Sequence, residues 1–391
     1  MKSYEERTKD NEQKIAAFQT KQKMPYEFKV KYAEVRVREF IRECDKRNLN
    51  THISVGGLDS ITLLKFIHDY CGFSYVPGVS VSSLEDKSIQ QIHEQLGVIK
   101  LSPYKSKIDI IREYGFPVLS KETAAKIELL AHPTDKNKTV RHAIITGETG
   151  EYGGFRKHTR MQLSQRWLEL FGGYENENEG VDYKIPPFKV SSQCCFWMKE
   201  KPCDDWAKQH KSVPFLGLMA SEGGRREKSL MLNGCNYFGK STIRSAPFAI
   251  FTRQDLLQLA LDLNVPVPTI YGEIKRDFDG KLCTTKAQRT GCSMCGFGIH
   301  MEQRPHRFDR LRERNEKEWD FWMNKCCEDA DGTKYGWGRV LDYIGVEWRD
   351  RVFDMKNNQL SLLDIEERFY GKKRPNDHVT PESLPQERLS H

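Results

Sequence analysis

Residues 51–67, THISVGGLDSITLLKFI, constrain the fold more than any other stretch of this chain. A short run of alternating character, His52 to Val55, meets the pair Gly56-Gly57. Asp59 and Ser60 follow, and then Ile61, Leu63, Leu64 and Ile67 recur at helical spacing. The pattern predicts strand, tight turn, helix. Such a turn directs backbone N–H groups at whatever sits over the helix N-terminus, where the helix dipole favours an anion. Glycines let that backbone approach a phosphate or sulfate with no Cβ in the way. An ordinary strand-to-helix turn capped by Asp59 or Ser60 is the plain alternative.

What surrounds this segment repeats the alternation. Residues 26–48 have helical apolar spacing, 73–81 read as a strand, 84–97 as a helix ending in glycine, 98–103 as a strand and 107–115 as a short helix. Strands alternating with helices predict a parallel sheet with right-handed crossovers, whose ligands sit at the carboxyl ends of the strands. The turn at 56–57 is such an end. Further on, 118–132 look helical, 141–154 carry a short strand and a glycine-rich loop, and 160–173 are helical. Residues 174–184 are acidic and turn-rich, the best internal boundary. Over 251–266, Thr252 and Asp255 are placed to cap a helix that Pro266 stops.

Charged residues make up 30% of the 391, and the formal charge of +7 suits anionic ligands or nucleic acid without requiring either. No apolar run reaches the roughly 18 residues of a membrane span. The N-terminus lacks a signal-peptide core, so a cytosolic protein is expected. Eleven cysteines in that setting point to metal or redox use rather than disulfides.

Cys194 and Cys195 are adjacent, and Cys292 and Cys295 form a C-x-x-C within TGCSMCGFG. Thiolates at i and i+3 of a tight turn can converge on one ion or cluster. Adjacent cysteines suit two irons of a 4Fe–4S cluster better than one zinc. Cys235 and Cys203 are further possible ligands, and a zinc site of Cys195, Cys235, Cys292 and Cys295 stays open, as does a metal-free reduced pair. Cys44, Cys71 and Cys283 read as isolated structural thiols, and Cys326-Cys327 carry no assigned role. In FLGLMASEGGRREKS (215–229) a strand delivers Glu222 and the pair Arg225-Arg226 to a ligand edge, and arginine holds phosphate or sulfate bidentately. Arg289, His300, Arg304, His306 and Arg307 add positive or ligating groups near the C-x-x-C, and Lys121 follows a strand at a position from which it could reach a phosphate.

These pieces occur in one order: SVGGLDS, FPVLSKE, CCFWMKEKP, GLMASEGGRR, GCNYF, PFAIFTRQDLL, VPTIYGEI and RTGCSMCGFGIHME. That order resembles the phosphoadenosine-phosphosulfate (PAPS) reductase family, within the PP-loop, adenine-nucleotide α-hydrolase-like group, and most of all its bacterial and phage reductase-like branch. The resemblance spans roughly residues 30–310. It implies a parallel five-stranded sheet flanked by helices, with a Cys-rich C-terminal part. The nucleotide-binding domain is accordingly expected over 26–310 (Cys-rich over 190–310), between a highly charged segment 1–25 and a helical extension 311–370, and the polar, proline-containing tail 371–391 is expected to be disordered. The phosphate loop, usually S-G-G-x-D-S in the family, corresponds to Val55, Gly56, Gly57, Leu58, Asp59 and Ser60, with Ser54 just before it. Glu222, Arg225, Arg226 and Lys121 join it as nucleotide-binding residues; Asp59, Ser60 and Arg225 carry the chemistry. Cys194, Cys195, Cys235, Cys292 and Cys295 form the ligand set of a 4Fe–4S cluster, with zinc as alternative.

Two departures bear on activity. Val55 stands where the family has serine and Leu58 where it often has lysine, changes that weaken phosphate binding by about 1–2 kcal/mol. The C-terminal E-C-G-L-H-like nucleophile motif of assimilatory reductases has no counterpart. The expected function is binding of ATP or a PAPS-like nucleotide, with Mg²⁺, for sulfur activation, sulfur transfer or sulfonucleotide reduction. The acceptor is a nucleic acid or a sulfur-donor or acceptor protein, no membrane is involved, and an oligomer is compatible. A nucleotide-binding regulatory or nucleic-acid-binding module, or a zinc-stabilised nucleic-acid binder, is the alternative.

Overall fold

The computed structural model describes residues 4–149, 159–174, 182–292 and 294–349. The first seven strands in chain order are β1 (Asn50–Ser54), β2 (Gly78–Ser80), β3 (Ile99–Lys100), β4 (Val118–Leu119), β5 (Ser212–Leu216), β6 (Asn236–Phe238) and β7 (Ile243–Ser245). Six of them form one sheet in the order β3-β2-β1-β5-β7-β6. Five run parallel, and β6 closes the edge antiparallel to β7. The α/β class is as expected, but the sheet has six strands, because the short return from β6 to β7 adds a hairpin partner at the edge.

β1 is central. It pairs with β5 over five residues, from Asn50↔Ser212 to Ser54↔Leu216, and with β2 at Ile53↔Gly78 and Ser54↔Val79. Both faces of such a strand are covered, which is why Ile53 and even His52 are buried. His52 Nδ1 bonds Ser212 Oγ at 2.8 Å and its ring meets Trp206 edge-on, so one side chain ties the two strands together. Pro214 lies within β5, where it lacks a donor. The strand tolerates it because β7 joins only at Phe215↔Ser245.

Helices cover the sheet. Tyr26–Lys46 buries Val30, Ala33, Val37, Phe40, Ile41 and Cys44 at spacings of three and four, and Phe40 meets Phe215 edge-to-face at 4.9 Å. Helix Arg253–Asp262 begins with the expected capping box between Thr252 and Asp255. Lys29 Nζ reaches Asp255 at 2.8 Å inside the protein, so that carboxylate serves both the cap and a buried ion pair.

A second buried cluster lies beside the first. It joins Phe116, Val118, Ile127, Leu130, Ile144, Leu168, Phe171 and Phe188 to Ile299, Phe308, Met323, Trp337, Val340 and Ile344. The stretch expected as a helical extension, 311–370, is therefore built into this core as far as the description reaches, through helices such as Arg307–Arg314 and Trp337–Ile344. One local expectation is corrected. The segment read as a short strand within 141–154 is the end of helix Lys138–Thr146, closed by Gly147 at φ 77°. Ala143, Ile144 and Ile145 are buried together in its last turns, and that tertiary packing overrides the β preference of the isoleucines. The strand expected over 73–81 narrows to β2, and that over 98–103 to β3. The tail 371–391 and most of the acidic boundary lie outside the described residues. Among the described residues no helix is long and apolar enough to cross a membrane.

Burial holds the His52 imidazole near pKa 4, below its ordinary 6.5, with His210 adding to the shift. The unfolded chain therefore takes up the proton first, and the stability His52 contributes is complete above pH 6.5 and drains away as pH falls toward 4. The stability difference between the natural protein and His52→Asn should narrow by about 2–3 kcal/mol between pH 7 and pH 4.5 in denaturant titrations. A difference independent of pH would show that His52 does not stay neutral in the fold.

Candidate phosphate loop and four-thiol site

After β2 and β3 extend the sheet on one side of β1, the chain crosses back to place β5 on the other. The change of direction leaves a crevice outside the carboxyl ends of β1 and β5, the position where open α/β sheets bind ligands. The turn Val55–Gly57 and helix Leu58–Lys65 occupy that crevice. Gly57 caps the helix with no side chain of its own, and Ser60 completes the turn. Gly56 N–H donates to Ser60 Oγ (2.7 Å), and the Ser60 hydroxyl donates to the Gly57 carbonyl (2.9 Å). Leu58 N–H donates to the Tyr271 hydroxyl (3.2 Å), which meets Thr290 Oγ1 at 2.6 Å.

Close approach explains two glycines. A Cβ on Gly57 would stand 2.2 Å from the Tyr271 hydroxyl oxygen, and one on Gly217, just past β5, would stand 3.1 Å from the Ser60 backbone. The two residues that depart from the family pattern, Val55 and Leu58, both belong to the main buried core. Ser54 ends β1 half-buried, between Leu216 and Val79.

Charge gathers around the turn. Asp59 pairs with Arg253, whose Nη2 also donates to the Gln288 carbonyl (3.1 Å). Glu222 holds Arg226 at 2.8 Å and has Arg289 at 3.9 Å. Burial raises the Asp59 carboxyl above its usual range, and Glu222 adds to this, while Arg253 and Arg289 oppose. His93 Nε2 meets the Gly56 carbonyl (2.8 Å) and its Nδ1 meets Ser82 Oγ (2.9 Å). Burial lowers its pKa, so the neutral ring donates to Gly56 and accepts from Ser82. Arg225 stands in the first turn of helix Gly224–Asn233.

Lys121 is elsewhere: it pairs with Glu200 and neighbours Cys195. It begins helix Lys121–Ala131 directly after β4, which pairs with Gly296–Phe297 outside the main sheet. That location assigns it to the cysteines rather than to the turn.

Cys194 and Cys195 lie in the helical turn Gln193–Cys195, and Cys292 and Cys295 in a turn closed by Cys295 N–H donating to Cys292 O (3.2 Å). These four thiols feel one another's charge. Burial pushes Cys194 up to about 12 and Cys195 up to about 11, and raises Cys295 against a hydrogen bond from Phe297 N–H. Burial alone would lower the Lys199 pKa, but Cys292 and Glu85 outweigh it and hold it above its ordinary value. Lys199 Nζ reaches Glu85 Oε1 at 2.7 Å, and that oxygen lies 3.8 Å from where a Gly56 Cβ would be. The thiols and the phosphate-type turn are thus neighbours through one lysine–glutamate pair. Lys107 also neighbours Cys194 and Cys295, and Arg307 donates to the Cys295 carbonyl (3.0 Å). As they stand, no three His, Cys, Asp or Glu side chains among the described residues are drawn together tightly enough to hold a metal ion.

Cys235, expected among the ligands, is not part of this group. It precedes edge strand β6 in the main core, where its neighbours are Tyr32 and Arg36 and burial pushes it up to about 11. Cys203 faces Asp204 and Lys199, not the four thiols. Of the histidines, His306 is buried and caps helix Arg307–Arg314 with Asp309, and the half-buried His300 packs against Trp167. Arg304 likewise pairs with Asp309. Sequence reasoning passed over Arg253, Tyr271 and Lys199 although each sits in a motif quoted above. Thr290 likewise sits in a quoted motif, whereas Glu85 and His93 had no signal, because contact alone selects them.

No protein-family model matches this chain, and no curated protein matches it in a sequence search.

Gly57→Ala should cost about 1–3 kcal/mol by forcing Tyr271 aside. On a Tyr271→Phe background, which removes the clashing oxygen, the same change should cost under about 1 kcal/mol, a coupling that a double-mutant cycle in urea reads directly. Equal costs on both backgrounds would place Tyr271 away from the turn.

Proposed function

We propose that the chain is a PAPS-reductase-like PP-loop protein. It holds the phosphates or sulfate of an adenine nucleotide on Gly56–Ser60, beside a four-cysteine site for a 4Fe–4S cluster, for ATP-dependent sulfur activation or transfer or for sulfonucleotide reduction. One observation carries this reading: the glycine turn at the sheet's crevice and the two cysteine pairs, far apart in sequence, lie next to each other across Glu85 and Lys199.

The donor set fits a cluster. It is all sulfur, Cys194 is buried and the other three are half-buried, and Lys107, Lys121, Lys199 and Arg307 surround it with positive charge that a thiolate-bound, net-negative centre needs. Adjacent Cys194 and Cys195 suit a centre with several irons, and zinc is the alternative. When bound, the cluster would supply electrons or a sulfur-binding site. The chain's own residues do the rest. Ser60 and the first-turn N–H groups take the leaving anion, replacing the bonds Ser60 now makes within the turn. Arg253 exchanges Asp59 for a phosphate, which frees that carboxylate to place Mg²⁺. Arg289 and the pair Arg225-Arg226 neutralise further anionic charge, and Tyr271 keeps Leu58 N–H in register. In PP-loop chemistry, attack on the α-phosphate gives an adenylated intermediate and pyrophosphate. A nucleic acid or a sulfur-carrying protein is the acceptor, and a reducing cytosol suits the free thiols.

A second reading, nucleotide binding without turnover in a regulatory or nucleic-acid-binding module, draws on Val55 and Leu58. Both side chains are purely hydrocarbon and belong to the buried core, so neither brings the hydroxyl or the cation that serine and lysine would offer the ligand.

Anaerobic purification with metal analysis and ATP–pyrophosphate exchange decides between them. We expect a broad band near ~400 nm, about four irons per chain, and exchange that Asp59→Ala abolishes. A cluster and tight nucleotide binding without exchange would establish the second reading. A colourless protein that binds no nucleotide would overturn both.

A further inference from the structure

Cys326 and Cys327 take no part in the site above. They lie in the second core, at a cavity of about 770 Å³ that Cys327 helps to line. That volume suits a small molecule. Phe116, Phe188 and Tyr335 form aromatic wall, and Arg112, His132 and Lys189 supply cationic or proton-bearing groups against one carboxylate, Glu328. Cys327 opens the strand Cys327–Glu328, and its pairing with Tyr335 fixes its position in the wall. Cys326 is fully buried behind it, its thiol 3.3 Å from the Trp322 carbonyl, and Arg112 Nε donates to the Cys326 carbonyl (2.9 Å).

We propose that this cavity is a thiolation site, in which Cys327 attacks an anionic low-molecular-weight disulfide of the oxidised-glutathione class. The aromatic wall takes the apolar part of the ligand, and Arg112, His132 and Lys189 take its carboxylates. In the step, the Cys327 thiolate forms a bond to one sulfur of the disulfide and the old S–S bond breaks. The other half leaves as a thiolate and takes a proton from water. Cys327 and the bound half are then joined as a mixed disulfide, so the protein thiol is oxidised and the departing half is reduced. Cys326 activates rather than resolves. The adjoining Cys326 thiol, with Arg112 and Arg339 nearby, holds the Cys327 thiol below its ordinary value against the effect of burial, while Cys326 itself is pushed up. A disulfide between the two is disfavoured, because adjacent Cα atoms stand about 3.8 Å apart, short of the usual disulfide span.

The test is peptide-resolved mass spectrometry of the reduced full chain exposed to oxidised glutathione. Cys44, an isolated thiol that burial pushes up to about 12, serves as internal reference. Cys327 should acquire the glutathionyl group on the order of tenfold faster than Cys44, and Cys326→Ala should slow it. Lys189→Met should slow reaction with oxidised glutathione but not with uncharged hydroxyethyl disulfide. Modification of Cys327 no faster than Cys44, or a rate indifferent to the charge of the disulfide, would overturn the proposal.

Discussion

The parallel pairing of β1 with β5 is the constraint on which the rest depends. It is the longest register in the sheet, and His52 and Ser212 fasten it from within. It brings Gly217 against the Ser60 backbone and sets Glu222 opposite Asp59. Slipping β5 by one residue would exchange its two faces and put side chains where the turn needs empty space. The glycine turn is thus shaped by its neighbour strand as much as by its own sequence.

A second fastening acts at the same edge. Asp255 accepts from Thr252 at the helix start and from the buried Lys29, which fixes the height and rotation of helix Arg253–Asp262. Arg253, the first residue of that helix, is thereby aimed at Asp59. The pair Lys29–Asp255 is held out of water, where removing one partner leaves an uncompensated charge at a cost of about 3–5 kcal/mol. Stability and the electrostatics of the crevice are therefore coupled through one carboxylate.

Much of this was legible in the sequence, and the failures have physical causes. The strand–glycine–helix segment and the capping box at Thr252 and Asp255 are written in local residue order, and local order determines them. The edge strand β6 is three residues long and owes its existence to pairing, so nothing in its composition announced it. Helix Lys138–Thr146 carries a β-branched pair that only burial against the second core turns helical. Cysteine spacing identified two thiol pairs but gave no means of excluding Cys235, whose distance from them is set by the sheet. Val55 and Leu58 looked like losses of ligand-binding groups. Their place in the core shows that they also have a packing role, one that a motif comparison cannot register.

The four thiols come from two stretches of chain, about a hundred residues apart, that pack against different apolar clusters. Cys194 belongs to a small apolar patch with Ile110 and Met198, while Met294, between the second pair, belongs to the second core. Anything bound by all four thiols would act as a rivet between these parts of the molecule, with the phosphate-type turn alongside.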